Sequence, residues 1–278
     1  MTPRTGQLRA SFDTITITLR WTEWGPVDGF PTLCVHGLTR NGRDFDALAQ
    51  ALAEQGRRVI CPDMPGRGMS GWFNDPALYA LPSYGQALAP LLEAVGEHDW
   101  VGTSMGGLIG MALAAAPGAR MRRFVINDIG PSVPVAALER IRDYLSDRPV
   151  FTSLPALEQY LRRIHAPFGP LSDAEWAHLA HHGARMTASG RYVLHYDPAI
   201  LTPMQGNLSD VDLWPLWPAV ATRPVLVLRG ETSDLLLAET AAQMGAAETV
   251  RVETIAGCGH APALMDPAQI ELVRGFLA

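Results

Sequence analysis

Cysteine is scarce in this chain of 278 residues: Cys34, Cys61 and Cys258 are the whole set. An odd, widely spaced trio without a CxxC pair excludes a disulfide framework and a cysteine-held metal, and it suits reduced thiols in a cytoplasmic protein. Charge is sparse as well, 18% of residues with a net charge of −6, and no cluster of cations forms a stripe. Neither nucleic acid nor an anionic membrane surface is therefore an expected partner. Long apolar runs are missing, since the longest, near Leu108–Ala116, is too short to cross a bilayer. The first ten residues carry two arginines and no apolar stretch, so no signal peptide is expected. Repeats and low-complexity blocks are absent too. What remains suits work on a small molecule. With 47% hydrophobic residues, the chain can build one large core domain, alone or carrying an inserted cap. Whether it pairs as a homodimer is left open.

The order of elements is informative. Thr14, Thr16 and Thr18 alternate with Ile15, Ile17 and Leu19, and Trp21 to Trp24 follows before Gly25-Pro26, which predicts an antiparallel pair at the start. Apolar strand runs then recur at Thr32–Val35, Arg58–Cys61, Asp99–Val101, Phe124–Asn127, Val225–Leu228 and Thr249–Ile255. Helical patterns separate them at Phe45–Gln55, Tyr84–Val95, Ser104–Ala116 and Glu239–Met244, and a last one follows at Ala268–Leu277. Strands apolar throughout, alternating with helices, predict a mostly parallel twisted sheet covered on both faces. One connection is far longer than a crossover requires. It is rich in proline and holds helical pieces at Val135–Leu145, Leu154–Ile164 and Asp173–His182. The expected organisation is a core of residues 1–130 and 219–278, with residues 131–218 inserted after the sixth strand as a helical cap over the carboxyl edge of the sheet.

Between the strand ending at Val101 and the helix that follows stands Gly102-Thr103-Ser104-Met105-Gly106-Gly107. A serine on a strand-to-helix turn, with glycine two residues before and after it, reads as a nucleophile elbow. An activated serine needs a base, an acid to orient the base, and donors for an oxyanion. His260, in the glycine-rich loop Ala256-Gly257-Cys258-Gly259-His260 after the last strand, is the expected base. Asp234, just after the penultimate strand, is the expected acid. Asp128, in Asn127-Asp128-Ile129-Gly130, is the alternative, and Glu231 reads as a turn residue. The expected oxyanion donors are the backbone N–H groups of Met105 and of Leu38 in His36-Gly37-Leu38-Thr39, with His36 bracing that loop.

With these pieces assembled, the chain resembles an α/β-hydrolase fold serine hydrolase of the esterase, lactonase and C–C hydrolase type. The likeness rests on His36-Gly37, Asp63-Met64-Pro65-Gly66-Arg67-Gly68-Met69-Ser70, the elbow, Asp234 and Gly259-His260-Ala261-Pro262, with Asp63 shaping a loop beside the site. It implies hydrolysis of an ester, thioester or lactone through an acyl-enzyme, without a cofactor. Ser104 excludes the aspartate-nucleophile dehalogenases and epoxide hydrolases of this fold. Thr103 before the serine and Leu38-Thr39-Arg40 in the oxyanion loop depart from the C–C hydrolase pattern, which stays as the alternative ahead of perhydrolase, acyltransferase and non-catalytic ligand-binding roles. Glu175, His178, His181 and His182 fall at helical spacing, but the reaction needs no metal, so they read as a half-exposed helix face. Trp176, Trp214, Trp217, Tyr144, Phe151, Phe168 and Tyr196 read mainly as packing, with a few lining an apolar pocket. Arg40, Arg140 and Arg185 read as surface cations.

Overall fold

The computed structural model describes residues 1–12 and 15–278. Thr14, expected in the first strand pair, lies outside the described residues, as does the side chain of Tyr144. The chain opens on an antiparallel pair, β1 (Arg4–Phe12) and β2 (Ile15–Trp24). Six further strands join them: β3 (Pro31–Val35), β4 (Arg58–Asp63), β5 (His98–Thr103), β6 (Met121–Asn127), β7 (Val225–Gly230) and β8 (Val250–Ile255). They form one sheet of order β1-β2-β4-β3-β5-β6-β7-β8. β2 meets β4 antiparallel, and from β4 to β8 every pairing is parallel.

Helices cover both faces, which is why the central strands carry apolar residues without alternation. On one face α1 (Asp46–Glu54) and α8 (Pro267–Leu277) pack Leu48, Leu52, Val273 and Leu277 against Cys34, Cys61, Val101, Val125 and Leu226. On the other, α2 (Leu81–Val95), α3 (Met105–Ala114) and α7 (Ala238–Met244) pack Leu88, Ile109 and Met244 against Leu33, Val35, Ile60, Trp100, Phe124 and Val227. Neighbours such as Leu33 and Cys34 thus serve opposite faces, as the two-residue repeat of a strand requires. Each aliphatic side chain so buried contributes about 1.5 to 3 kcal/mol.

The long connection between β6 and β7 holds α4 (Val135–Ser146), α5 (Leu154–Ile164) and α6 (Asp173–Gly183). It is not one independent body. α4 packs Ala137, Ile141 and Leu145 into the main core, whereas α5 and α6 build their own cluster of Leu157, Tyr160, Leu161, Trp176, Leu179 and Ala180. Two short antiparallel pairs, Ala184–Met186 with Tyr192–Leu194 and Ser132–Val133 with Val211–Asp212, tie the segment together. The sequence pattern shows neither, because runs of two or three residues carry no periodicity.

The chain contains no lysine, so all 22 Lys/Arg cations are arginines, and each of their ion pairs is made by a planar, multi-donor fork. The most buried pair joins Arg57 to Asp99, whose side chain is fully enclosed. Arg57 also donates to Thr32 Oγ1 at 2.8 Å and to the Leu277 carbonyl at 2.7 Å, locking the end of α8 under β3. Replacing Asp99 by Ala strands the guanidinium and is expected to cost about 3 to 5 kcal/mol in urea unfolding, with the double variant Arg57→Met/Asp99→Leu recovering much of it. A loss below about 1 kcal/mol in the single variant would show that Arg57 finds water instead.

Candidate active site

Ser104 sits between β5 and α3 with φ +52°, a left-handed conformation that non-glycine residues rarely hold. The flanking glycines are dictated by contact distances. A Cβ on Gly102 would stand 2.4 Å from the Gly106 carbonyl oxygen, and one on Gly106 would stand 1.9 Å from that of Val35. The turn therefore closes only with glycine at both places. α3 starts at the next residue, so its free N–H groups gather beside the Ser104 hydroxyl.

The imidazole of His260 meets that hydroxyl, with Nε2 at 2.9 Å from Ser104 Oγ. The loop carrying it is held from outside: Gly259 N–H donates to the Pro167 carbonyl at 2.7 Å, and Ala263 N–H to that of Phe168 at 3.3 Å. From inside, Asn127 Nδ2 donates both to Thr103 Oγ1 (3.0 Å) and to the Pro262 carbonyl (2.8 Å), joining the serine turn to the histidine loop.

Behind the imidazole stands Asp128, not Asp234. His260 Nδ1 donates to Asp128 Oδ2 at 2.8 Å, and the Asp128 carboxylate is fully buried. It also accepts from Gly230 N–H (2.7 Å) and from the Ser233 hydroxyl (2.6 Å). The expectation that Asp234 partners His260 is thereby corrected. Asp234 lies on the right loop, but its side chain is 52% exposed and pairs with Arg140 of α4 at 2.6 and 2.9 Å. The inward direction at that loop belongs to Ser233, one residue earlier, and Ser233 acts as a donor to Asp128. Ser233 was missed in the sequence, where nothing marks it off from other turn serines. For Asp128, the available signal was its place directly after β6.

Gly37 brings the loop after β3 against the serine, since a Cβ there would lie 3.6 Å from Ser104 Cβ. Leu38 follows it on the wall of the same cavity, and Met105 is buried beside the serine. Arg67, fully buried, reaches both: its Nε donates to the Leu38 carbonyl at 2.8 Å and its Nη2 approaches Met105 Sδ at 3.5 Å. Sequence reasoning treated Arg67 only as part of a loop motif. Asp63 has a structural place, as expected. It accepts from Gly42 and Met69 N–H at 2.8 Å each, and burial pushes its pKa up to about 6 against the pull of those donors.

The serine and histidine open into a cavity of about 360 Å³. Its wall combines apolar groups of the inserted segment, Ile141, Ile164 and Phe168, with the polar Arg40, Arg140 and His165. Of the aromatic residues singled out above whose side chains are described, Phe168 is the one on this wall, whereas Trp217 and Tyr196 pack in the main core and Trp176 in the α5–α6 cluster. Arg40 is buried and forked onto Asp44 at 2.7 and 2.8 Å, and Arg185 lies over the Trp72 ring. His165 was not anticipated. Its ring stacks on Phe168 at 4.4 Å, and burial together with the charge of Arg40 keeps it well below the usual histidine range, hence neutral.

Residues 32–271 match the alpha/beta hydrolase family, so the chain belongs to that family and is an enzyme of it. Over 267 residues it is 40% identical to the 3-hydroxybutyrate-oligomer hydrolase of Cupriavidus necator, covering 91% of this chain and 90% of that protein. It is 28% identical to an esterase of Mycobacterium tuberculosis over 93% of this chain and 85% of the esterase. Among solved structures, an alpha/beta hydrolase from Novosphingobium aromaticivorans superposes with a TM-score of 0.89 at 39% identity, covering 99% of this chain and 98% of the other. None of the helices among the described residues is long and apolar enough to cross a membrane.

His36 supplies a pH prediction. Buried, it donates from Nδ1 to the Gly37 carbonyl (2.7 Å) and accepts the Met64 N–H at Nε2 (2.9 Å), a pattern only the neutral ring can make. Burial, chiefly, lowers its pKa to about 3, while the unfolded ring takes a proton near 6.5. The stability it contributes is complete above pH 6.5 and is lost as pH falls toward 3, amounting to about 2 to 3 kcal/mol by pH 4.5. Urea unfolding of His36→Gln is expected to weaken less between pH 7.5 and 4.5 than the wild type. Parallel losses in the two proteins would contradict this.

Proposed function

We propose that the protein is a serine hydrolase that cleaves small carboxylic esters through an acyl-enzyme formed on Ser104. One observation carries the proposal: the unbroken line of hydrogen bonds from the Ser104 hydroxyl through His260 to the buried Asp128 carboxylate, at 2.9 and 2.8 Å, on the floor of a cavity. His260 takes the serine proton as Oγ attacks the ester carbonyl, and Asp128 steadies the imidazolium without itself being protonated. The N–H groups of Leu38 and Met105 hold the developing oxyanion, a pair of donors each worth about 3 kcal/mol of transition-state stabilisation. His260 returns the proton to the departing alcohol, then activates the water that releases the acid. α4, α5 and α6 act as a cap that excludes bulk water and shapes the acyl pocket.

For substrate, we infer short oligomeric esters of a 3-hydroxy acid, the class named in the relative that shares 40% of its residues over nine-tenths of both chains. The mixed wall fits such a chain, in which small apolar branches alternate with ester carbonyls and one end is a carboxylate that Arg140 or Arg40 can meet. Three buried, unpaired cysteines fit the reducing cytoplasm.

Three variants test the assignment. Ser104→Ala is expected to abolish both hydrolysis of a 3-hydroxybutyrate dimer and labelling by a fluorophosphonate. Asp128→Asn is expected to lower kcat by about 10⁴ with folding intact, because the imidazole is left in the wrong tautomer. Asp234→Asn breaks a half-exposed ion pair on the cavity wall but leaves the His260–Asp128 bond in place, and is expected to change kcat by no more than about fivefold. The reverse ranking of the two aspartates would overturn the assignment of the acid, and a fully active Ser104→Ala would overturn the mechanism.

A further inference from the structure

The histidines of α6 have no part in this chemistry, yet two of them converge on the core. Glu175 belongs to the cap of its own helix, accepting from the N–H and hydroxyl of Ser172 at 2.7 Å each. His181 sets its ring edge-on against His182. His178 and His182, one helical turn apart, face the first residue of α1, Asp46, a buried carboxylate. One ring nitrogen from each histidine and one Asp46 oxygen all lie within 4.8 Å of one another, and His178 Nε2 is already 3.5 Å from Asp46 Oδ2. We propose that Asp46, His178 and His182 form a binding site for a divalent first-row transition ion of the zinc type, which fastens α6 of the inserted segment to α1 of the core.

Two imidazoles and one carboxylate make the donor set that such ions prefer over magnesium or calcium. Metal–ligand bonds of about 2.0 to 2.1 Å place the ligand atoms of a tetrahedral ion about 3.4 Å apart. The His178–Asp46 pair stands at that spacing, and side-chain rotation closes the rest. The cluster already holds positive charge. Arg43 Nε donates to both Asp46 oxygens at 2.9 and 2.8 Å, and its Nη1 stands 3.4 Å from His182 Nδ1. That guanidinium is the group a metal ion displaces, and its side chain, 31% exposed, can turn out into water. The Arg43 carbonyl, which His178 Nε2 meets at 2.9 Å, supplies a further oxygen beside the ion once the His178 proton resides on Nδ1. A solvent-reaching cavity lined by Arg43, Asp46, Glu175 and His178 gives the ion its path in.

The test is a zinc titration of the metal-free full-length protein, followed by calorimetry and by thermal unfolding. One ion per chain is expected, with a Tm that climbs with the logarithm of free zinc. Asp46→Asn and His178→Ala/His182→Ala are each expected to weaken binding by about tenfold or more. Arg43→Ala should bind zinc about fivefold more tightly, because a competing ion pair of ordinary half-exposed strength is gone. Ser104→Ala should bind as the wild type does, which separates this site from the catalytic imidazole, and His182→Gln should hydrolyse esters as the wild type does without metal. Absence of zinc binding, equal binding by the His178→Ala/His182→Ala protein, or weaker binding by Arg43→Ala would each overturn the proposal.

Discussion

The buried carboxylate of Asp128 is the constraint on which the site depends. It gathers three stretches of chain far apart in sequence: its own turn after β6, the loop after β7 through Gly230 and Ser233, and the loop after β8 through His260. A carboxylate withdrawn from water is tolerated only when its lone pairs are filled by donors. Here two donors come from the protein frame and the third is the imidazole itself. The requirement that folds the three loops together is the same one that orients His260. Structure and chemistry share one interaction, so the loops cannot be packed correctly with the ring turned wrongly.

Close backbone approach performs the matching task on the serine side. Gly102 and Gly106 let β3, β5 and α3 meet where any side chain would collide, and the strained Ser104 conformation is what that meeting leaves. Arg67 then joins the two turns that would hold an oxyanion, bonding the Leu38 carbonyl while touching Met105, with the rings of Tyr84 and Tyr79 against its guanidinium. A rigid guanidinium fork suits a role in which several carbonyls need donors at fixed angles. Outside this frame, α5 and α6 rest on a small cluster of their own, linked to the core at Pro167 and Phe168, while α4 adds the Arg140–Asp234 pair.

Much of this was legible along the chain, for reasons that differ by element. The inner parallel strands announced themselves because both sheet faces are buried there, which leaves unbroken apolar runs such as Leu33–Val35 and Val225–Leu228, whereas the edge strand Val250–Ile255 is half-exposed and alternates. Ser104 and His260 were legible because strained turns and tight loops demand glycine, and glycine spacing survives in a sequence. The acid was harder. Asp128 and Asp234 each follow a strand, and a difference of one residue in a loop reverses which side chain faces inward. Position along the chain carries no such direction, so Asp234 was expected at the imidazole, whereas the loop turns Ser233 inward and Asp128 takes the ring. The meeting of His178 and His182 with Asp46 was invisible for another reason: the helix displays its own spacing, but the oxygen donor comes from a distant segment that only tertiary packing brings near.

The site turns on one proton, that on His260 Nδ1, which faces the Asp128 carboxylate at 2.8 Å. Low-field proton NMR of protein labelled with ¹⁵N at histidine ring nitrogens reads that proton directly. A strongly deshielded, nitrogen-coupled resonance is expected, one that disappears in His260→Ala and in Asp128→Asn and persists in Asp234→Asn. A resonance that survives Asp128→Asn but vanishes in Asp234→Asn would contradict that pairing.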